Sequence, residues 1–410
     1  MPQPSSHSSP PCHDVLIVGG GLVGASLAIA LDRLGMDVAQ VEASPAGSLP
    51  PVFDQRNLSF ADATVNALTA LGVMQQLHMP PAPIRRIHVS RAGDFGRVCM
   101  QAADYGREAF GQVVVASDFG QALETRLGQL RGLTRYRPAR FLGCRMENDL
   151  CRMRIAQDQG ERTVHARLLV GADGSASGVR AALGIEADER DYDQTLLVAR
   201  VRASRAPDGT AWERFTAHGP TAVLPRGDRH YGVVHGVARG QAEAAMAWDE
   251  ATYLARIQTA FGWRAGRFLS AGPRSAYPMV RVVARRTVAT RAVLVGNAAQ
   301  SMHPVGAQGF NLGLRDALTL AELLAAHRDD PGSAQMLRSY EEQRREDRER
   351  TLEFSDGLAR VTANNAPLLR PLRTLGLLAV DRLPALQARV AGGAMGYRGQ
   401  VPALCRRPQP

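Results

Sequence analysis

Not one lysine occurs in this 410-residue chain, so its 49 basic side chains are all arginines; against 39 acids they leave a formal net charge of +10. A basic excess of that size suits nucleic acid, an anionic membrane surface or a phosphorylated cofactor. The arginines are nonetheless interleaved with acids, as in Arg338–Arg350 (RSYEEQRREDRER), where Glu341/Arg345 and Glu346/Arg350 stand at i,i+4. That spacing reads as a solvated helix and argues against nucleic acid as a partner. Cysteine is scarce too: Cys12, Cys99, Cys144, Cys151 and Cys405 are odd in number and form no Cys-x-x-Cys pair. Their scatter excludes a disulfide framework or a zinc site, so no metal centre is expected, and a reducing cytoplasm fits. No uncharged apolar run reaches the ~18 residues of a membrane span. Residues 1–13 are rich in Ser and Pro and lack the basic-then-apolar order of a secretion signal, so they read as a disordered tail.

What is present is a globular balance, 45% hydrophobic and 21% charged, enough for two domains or one elaborated domain. Val15–Val18 reads as a buried parallel strand, Leu22–Leu34 as a helix with Leu27, Ala28 and Leu31 on one face, and Val38–Glu42 as a second strand. Together they make a β-α-β unit. Helical spacing recurs at Ala61–Leu71 and Asp118–Leu130, and alternation at Cys151–Ile155 and Thr163–His165 predicts antiparallel strands. Leu168–Val170 is a buried strand entering the turn Gly171–Gly174. From about Tyr192 to Arg286 the pattern is strand-like, with Trp212–Thr216, Ala222–Leu224 and Tyr231–His235, the natural place for an inserted domain. Ala292–Val295 returns as a buried strand. A long helix then starts near Gly309 with Leu314, Ala317, Leu318 and Ala321 on one face, and the chain is mostly helical from about Phe354.

Three glycine-bearing turns carry chemistry. Gly19-Gly20-Gly21-Leu22-Val23-Gly24 is a G-x-G-x-x-G between strand and helix. Gly19 permits the tight turn, Gly21 lets backbone approach a pyrophosphate, Gly24 lets the helix pack on the strand, and the helix N-terminus adds partial positive charge. Glu42 ends the second strand, where a carboxylate accepts hydrogen bonds from an adenosine ribose. The motif alone does not separate NAD from FAD. Gly171-Ala172-Asp173-Gly174, with Arg180 six residues on, places an acid at a strand end; alone it reads equally as a turn with an Asp cap. The third turn runs from Gly296-Asn297-Ala298 through His303-Pro304 into Gln308-Gly309-Phe310-Asn311-Leu312-Gly313. Gly309 and Gly313 are expected to leave room for a flat ring, and the helix dipole to stabilise negative charge gathering on it. His303 is expected to be structural, donating to backbone in this loop.

In this order the three turns resemble the FAD-dependent aromatic hydroxylases, the para-hydroxybenzoate hydroxylase superfamily. GNAAQSMHP…QGFNLGLRDA is similar to their ubiquinone-biosynthesis branch. HVSRAGDFG at His88, GQVV at Gly111, WERFTAHGPTAVLP at Trp212, FGWRAG at Phe261 and RSAYP at Arg274 are similar to the 2-octaprenyl-6-methoxyphenol hydroxylases within it. The resemblance covers about Asp14 to Gly396. It implies an α/β fold with a discontinuous Rossmann-like FAD-binding domain over 14–85, 110–190 and 287–350. An inserted substrate domain built on a mixed or antiparallel β-sheet covers 86–109 and 191–286, and a helical C-terminal region covers 351–410. FAD would lie on Gly19, Gly21, Gly24 and Glu42, with Arg56 near it and Gln121 touching the flavin chain. Asp173 would serve both FAD and NAD(P)H, and Asn297, Gly309 and Asn311 would surround the ribityl chain and the isoalloxazine ring.

The resemblance further implies that NAD(P)H reduces FAD, that O2 adds at flavin C4a, and that the hydroperoxide hydroxylates a polyprenyl methoxyphenol in ubiquinone biosynthesis. The motifs mark no catalytic side chain, and the base for the phenol proton is unidentified. Two departures stand out: Asn297 where the wider superfamily has Asp, and Gly306-Ala307 in place of Ala-Gly, which brings a methyl group toward the ring. A lipid-tailed phenol makes a membrane surface and other ubiquinone-biosynthesis enzymes expected partners, and a cytoplasmic protein peripheral at the inner membrane the expected setting. Leu368, Leu372, Leu375 and Leu378 alternate with Arg370, Arg373 and Arg382. The pattern reads either as a basic amphipathic helix at a membrane or as a core-packed helix with its arginines in water. The same motifs would serve a sister hydroxylase of another phenol or ring position, another FAD oxidoreductase (a reductase or epoxidase), or a non-catalytic flavin-fold member of a biosynthetic complex.

Overall fold

The apolar run at Val15–Val18 belongs to the strand Cys12–Val18, in the middle of an eight-stranded sheet. A computed structural model describes residues 11–147, 149–363 and 369–407. Five strands of this sheet run parallel, in the order Ala292–Leu294, Gly160–Gly171, Cys12–Val18, Val38–Val41 and Leu133–Tyr136. The pleat sends Val15 and Ile17 to one core, with Leu27 and Leu31 of the helix Leu22–Asp32 and Leu314 and Leu318 of the helix Gln308–Ala326. It sends Leu16 and Val18 to another, with Val41, Ile155 and Leu169. A sheet covered on both faces has no polar side to alternate with, hence the unbroken apolar run. Gly160–Gly171 serves twice: its first half is antiparallel to Leu150–Gln157, with Met153 opposite Val164, and its second half parallel to the first strand, with Ile17 opposite Val170.

The first strand begins inside the expected tail of residues 1–13. Cys12 and His13 pair in register with His165 and Ala166. His13 is buried, 3.0 Å from an Asp37 oxygen and 3.1 Å from the Tyr136 hydroxyl, two partners that composition alone does not reveal. Residues 1–10 lie outside the described residues.

A second sheet of nine strands gathers Ala187–Ala203, Thr210–Thr216, Gly219–Pro225, Tyr231–Ala238, Phe268–Ala271 and Ser275–Ala284 with Arg86–Arg91, Arg97–Gln101 and Gln300–Ser301. It is antiparallel except where Thr210–Thr216 runs parallel to Arg86–Arg91. Ala187–Ala203 straddles the expected boundary at 191, and Gln300–Ser301 ties the third glycine turn to this sheet. The strand-like reading of 192–286 misses the helix Glu250–Phe261. Asp249 caps it by accepting the Thr252 N–H at 2.7 Å, and Tyr253, Ile257 and Phe261 pack its inner face on the sheet.

The helix Ala334–Ala363 corrects a further expectation, because only part of Arg338–Arg350 is solvated. Glu346 and Arg350 form an exposed pair at 2.6 Å. Arg344 and Asp347, however, are 2% and 0% exposed. Asp347 accepts Arg315 Nε at 2.7 Å and an Arg344 nitrogen at 2.8 Å, while Arg344 Nε donates to Asp316 at 2.8 Å. Two arginines and two aspartates thus neutralise each other between helices, the condition under which such charges can be buried at all. Asp316 also accepts the Gln300 amide at 2.6 Å, so this network holds the third glycine turn.

Candidate functional site

The first turn leaves no room for a side chain at Gly19, Gly20 or Gly24. Gly19 has φ +110°, and a Cβ there would stand 2.5 Å from the Ala172 carbonyl oxygen. At Gly24 a Cβ would stand 2.1 Å from the Gly19 carbonyl oxygen. Gly21 is the N-cap of the helix Leu22–Asp32 and no side chain caps it, so first-turn N–H groups are open to an anion. Glu42 is buried; one oxygen accepts the Gly20 N–H at 2.7 Å and the other the Ser44 N–H at 2.7 Å. A carboxylate keeps capacity for further donors such as ribose hydroxyls. Gly20, a free position in the motif, is constrained after all: a Cβ would lie 2.8 Å from the Glu42 oxygen it bonds.

The three turns meet. Gly19 touches Ala172 of the second, while Arg180 donates to the carbonyls of Ser175 and Ala298, at 2.7 and 3.0 Å, tying second to third. Asp173, half-buried, accepts Ser177 Oγ–H at 2.5 Å and the Val179 N–H at 3.1 Å, capping the short helix Gly178–Ala182. Asn297 is exposed beside these turns. Gly309 is the second residue of the helix Gln308–Ala326, and a Cβ there meets nothing within 4 Å, so open space lies over that helix start.

Gly313 does not share in that space. A Cβ there would stand 2.9 Å from Gly296 Cα and from a Val23 methyl, so this glycine serves the packing of the helix on the first and third turns. Asn311, expected at the ribityl chain or ring, lines the cavity edge and is hydrogen-bonded to its neighbours. Its oxygen accepts the Ala61 N–H at 2.9 Å, and its amide donates to the Ser59 and Ala307 carbonyls at 3.0 and 2.7 Å. These bonds commit the side chain to clamping the strand Asn57–Ala61 onto the helix start. Both residues of the inverted pair adopt left-handed backbone, Gly306 at φ +73° and Ala307 at φ +51°, which strains the alanine.

Arg56 forks Asp54 at 2.9 and 3.0 Å and lies 4.2 Å from the centroid of the Tyr277 ring, whose hydroxyl donates to Asp54. Burial would raise the Asp54 pKa, but its bonds to Arg56 and Tyr277 hold it below the usual carboxylate value. Gln121 is exposed on the helix Ala116–Leu127, whose start is tied to the same loop through Ala116 N–H to Arg56 O at 2.9 Å.

Between the second sheet and the third turn lies a cavity of about 240 Å³. Residues 304–308 form one side, Phe60, Ile87, Phe215 and Leu224 are among its apolar walls, and Glu213 is the one carboxyl among the described residues that line it. Glu213 lies in the quoted segment WERFTAHGPTAVLP, but nothing there singled it out, because strand alternation marks a side and not what that side faces. Phe354, Val390 and Arg398 are shared with an outer groove of about 740 Å³, which Leu386 and Val380 also line. The Arg398 guanidinium sits 4.7 Å from the Phe354 ring centroid, at this shared wall. His303 is buried outside the cavity lining and accepts the Val305 N–H at 3.3 Å rather than donating to backbone; burial pushes its pKa down to about 4.

The helix Leu369–Arg382 exposes Leu372 and Leu375, 64% and 61% accessible, but buries Arg373 against Asp94 at 3.1 Å. Arg373 therefore anchors the helix rather than lying on a basic outer face. Leu368 lies outside the described residues. Among the described residues, no group of three or more His, Cys, Asp and Glu side chains could hold a metal, and no helix is long and apolar enough to cross a membrane.

An FAD binding domain family model matches residues 13–355. The chain is 36% identical over 397 residues to the ubiquinone hydroxylase UbiL of Rhodospirillum rubrum, spanning 96% of this chain and 92% of the relative. It is 30% identical over 392 residues to the 3-demethoxyubiquinol 3-hydroxylase of Escherichia coli, spanning 93% and 98%. In structure it is similar to the p-nitrophenol 4-monooxygenase PnpA of Pseudomonas putida, with TM-score 0.78 and 18% identity over 96% of this chain and 100% of that one.

Proposed function

The chain belongs to the FAD binding domain family, within the FAD-dependent monooxygenases, and from that premise we propose that it hydroxylates the ring of a polyprenyl methoxyphenol in ubiquinone biosynthesis, using NAD(P)H and O2. The observation that carries this reading is the apolar cavity enclosed between the 304–308 loop and the second sheet, large enough for a substituted ring and continuous in its walls with an outer groove. In it, the first sheet is the cofactor half and the second sheet the substrate half.

The residues present fit FAD. Two helix N-termini, at Leu22 and Gln308, lack side-chain caps, and Gly309 opens onto unfilled space. In this reading Gly19, Gly21 and Gly24 form the pyrophosphate turn, and Glu42 accepts ribose hydroxyls with its remaining lone pairs. In the same reading Arg56, Gln121, Asp173 and Asn297 would also contact FAD, while Asn311 fixes the strand and loop that border the ring. FAD, reduced by NAD(P)H, supplies the activated oxygen atom. The chain supplies orientation, a dry cavity and the positive end of the Gln308–Ala326 helix for negative charge gathering on the ring.

The outer groove beyond Arg398 and Phe354 suits an apolar tail leaving the cavity. The exposed leucines Leu372, Leu375, Leu383 and Leu386 suit a cytoplasmic protein resting on the inner membrane surface, where such a tail resides. The test is genetic and chemical: express the chain in strains each blocked at one ubiquinone ring hydroxylation and identify the quinones that accumulate. Restored ubiquinone in one strain is expected. A stable, FAD-loaded protein that restores none of them contradicts the reading.

A further inference from the structure

The pleat of Thr210–Thr216 puts Ala211, Glu213 and Phe215 on one side of the second sheet, and all three line the cavity. In register beside Glu213 stand Val89 on the parallel neighbour and Ala222 on the antiparallel one; both line the cavity too. Along the strand and across it, the carboxyl is therefore framed by apolar side chains, and no described residue forms a hydrogen bond or ion pair with its side chain. Glu213 is half-buried and lines the cavity. A carboxyl held among apolar side chains without a partner is costly, and this one lines a cavity that a ligand could fill.

We propose that Glu213 is a catalytic residue that binds the ring hydroxyl of the substrate and takes up its proton as the ring is hydroxylated. The inference rests on the phenol reading given above. The phenolic O–H bond breaks, a new O–H bond forms on a Glu213 oxygen, and the electron pair left behind spreads to the ring carbons ortho and para. One of those carbons bonds an oxygen atom derived from O2, with the nicotinamide as reductant and water as the second product, and loses its own hydrogen as a proton when aromaticity returns.

The surroundings suit that task. The only other ionisable side chain lining the cavity among the described residues is Arg398, which lies over Phe354. Arg214 is the next residue along the strand and His88 registers with Trp212, so the pleat directs both to the opposite side of the sheet. The helices Ala334–Ala363 and Pro384–Ala394 present Phe354, Leu358, Val390 and Ala394, and the 304–308 loop presents no ionisable group. Burial with no compensating cation pushes the Glu213 pKa up to about 8. That brings it toward the ~10 of a phenol, so proton transfer is closer to balanced than with an ordinary carboxylate.

The experiment uses FAD-loaded protein and two probes, a methoxyphenol with one isoprenyl side chain and its O-methyl ether, which lacks the hydroxyl. Binding is measured by calorimetry and turnover by product formation, for the wild type, Glu213→Gln and Glu213→Leu. The wild type should prefer the phenol over the ether by about tenfold, and Glu213→Leu should lose that preference while keeping its flavin. Glu213→Gln should lose about 100-fold in kcat with little change in KM. The wild-type rate should rise with pH through about 8 as the carboxylate forms, an inflection absent from Glu213→Gln. Variants that keep both the preference and the pH profile overturn the assignment while the hydroxylase reading stands. A wild type that neither prefers nor hydroxylates the phenol overturns both.

Discussion

The two halves of this molecule, the proposed cofactor half and the proposed substrate half, are shaped by different means. Around the first sheet, selectivity comes from backbone: Gly19, Gly20 and Gly24 are required because a Cβ would strike a carbonyl oxygen or the Glu42 carboxylate. What the turns offer a ligand is largely N–H groups and a helix end. Around the second sheet, selectivity comes from side chains projecting from a wide pleated wall, with one carboxyl set among apolar neighbours. At Gly19, Gly20 and Gly24 the backbone site tolerates almost no substitution. A side-chain site can be retuned one residue at a time.

The largest expected effect lies in the charge network buried between the helices Gln308–Ala326 and Ala334–Ala363. Asp347→Asn leaves Arg315 and Arg344 buried without their shared counter-charge and should destabilise the fold by about 3–5 kcal/mol, read as a fall in the denaturation midpoint. Gly24→Ala drives a methyl into the Gly19 carbonyl; a loss of about 3 kcal/mol and a protein purified without flavin colour are expected. If that variant holds FAD normally, the claim that backbone dictates the first half is wrong.

Glu213→Gln should act with the opposite sign. Because the folded carboxyl titrates near pH 8 rather than at its ordinary 4.5, an unfolded chain releases this proton first, and stability falls as pH rises between those values. The glutamine escapes that loss, so the variant should be more stable by about 2 kcal/mol at neutral pH and unchanged near pH 4. A variant less stable than wild type at every pH would place Glu213 in a structural role. The smallest effect is Ala307→Gly, which relieves left-handed strain and should add about 1 kcal/mol, measurable by chemical denaturation.

These contrasts explain what could be read in the sequence. The β-α-β unit, the turns at Gly19 and Asp173 and the strand–turn–helix at Gly296–Gly313 were legible because tight backbone geometry selects residue type directly. Where tertiary packing rather than local backbone geometry sets a side chain's partners, the sequence was mute. Nothing in the sequence shows the bonds of Asn311 to Ser59 and Ala61, and Arg344 reads as solvated until Asp316 and Asp347 surround it. Gly313 shows the middle case: its glycine is required, but for contact with Gly296 rather than with a ring. The helix Glu250–Phe261 did carry a signal, an Asp cap followed by Tyr253, Ile257 and Phe261 four apart, which the surrounding strand pattern concealed. Glu213 had none, since a lone acid in a strand is ordinarily solvated.

The central claim is that the glycine turns hold a flavin against a cavity in which dioxygen is used on a phenol. The most direct test supplies the FAD-loaded protein with NADH or NADPH, a prenylated methoxyphenol and isotopically labelled O2, then weighs the product. One labelled oxygen on the ring, with one nicotinamide consumed per product, is the predicted result. Nicotinamide oxidation that yields only hydrogen peroxide, or a product whose new oxygen comes from water, contradicts the account.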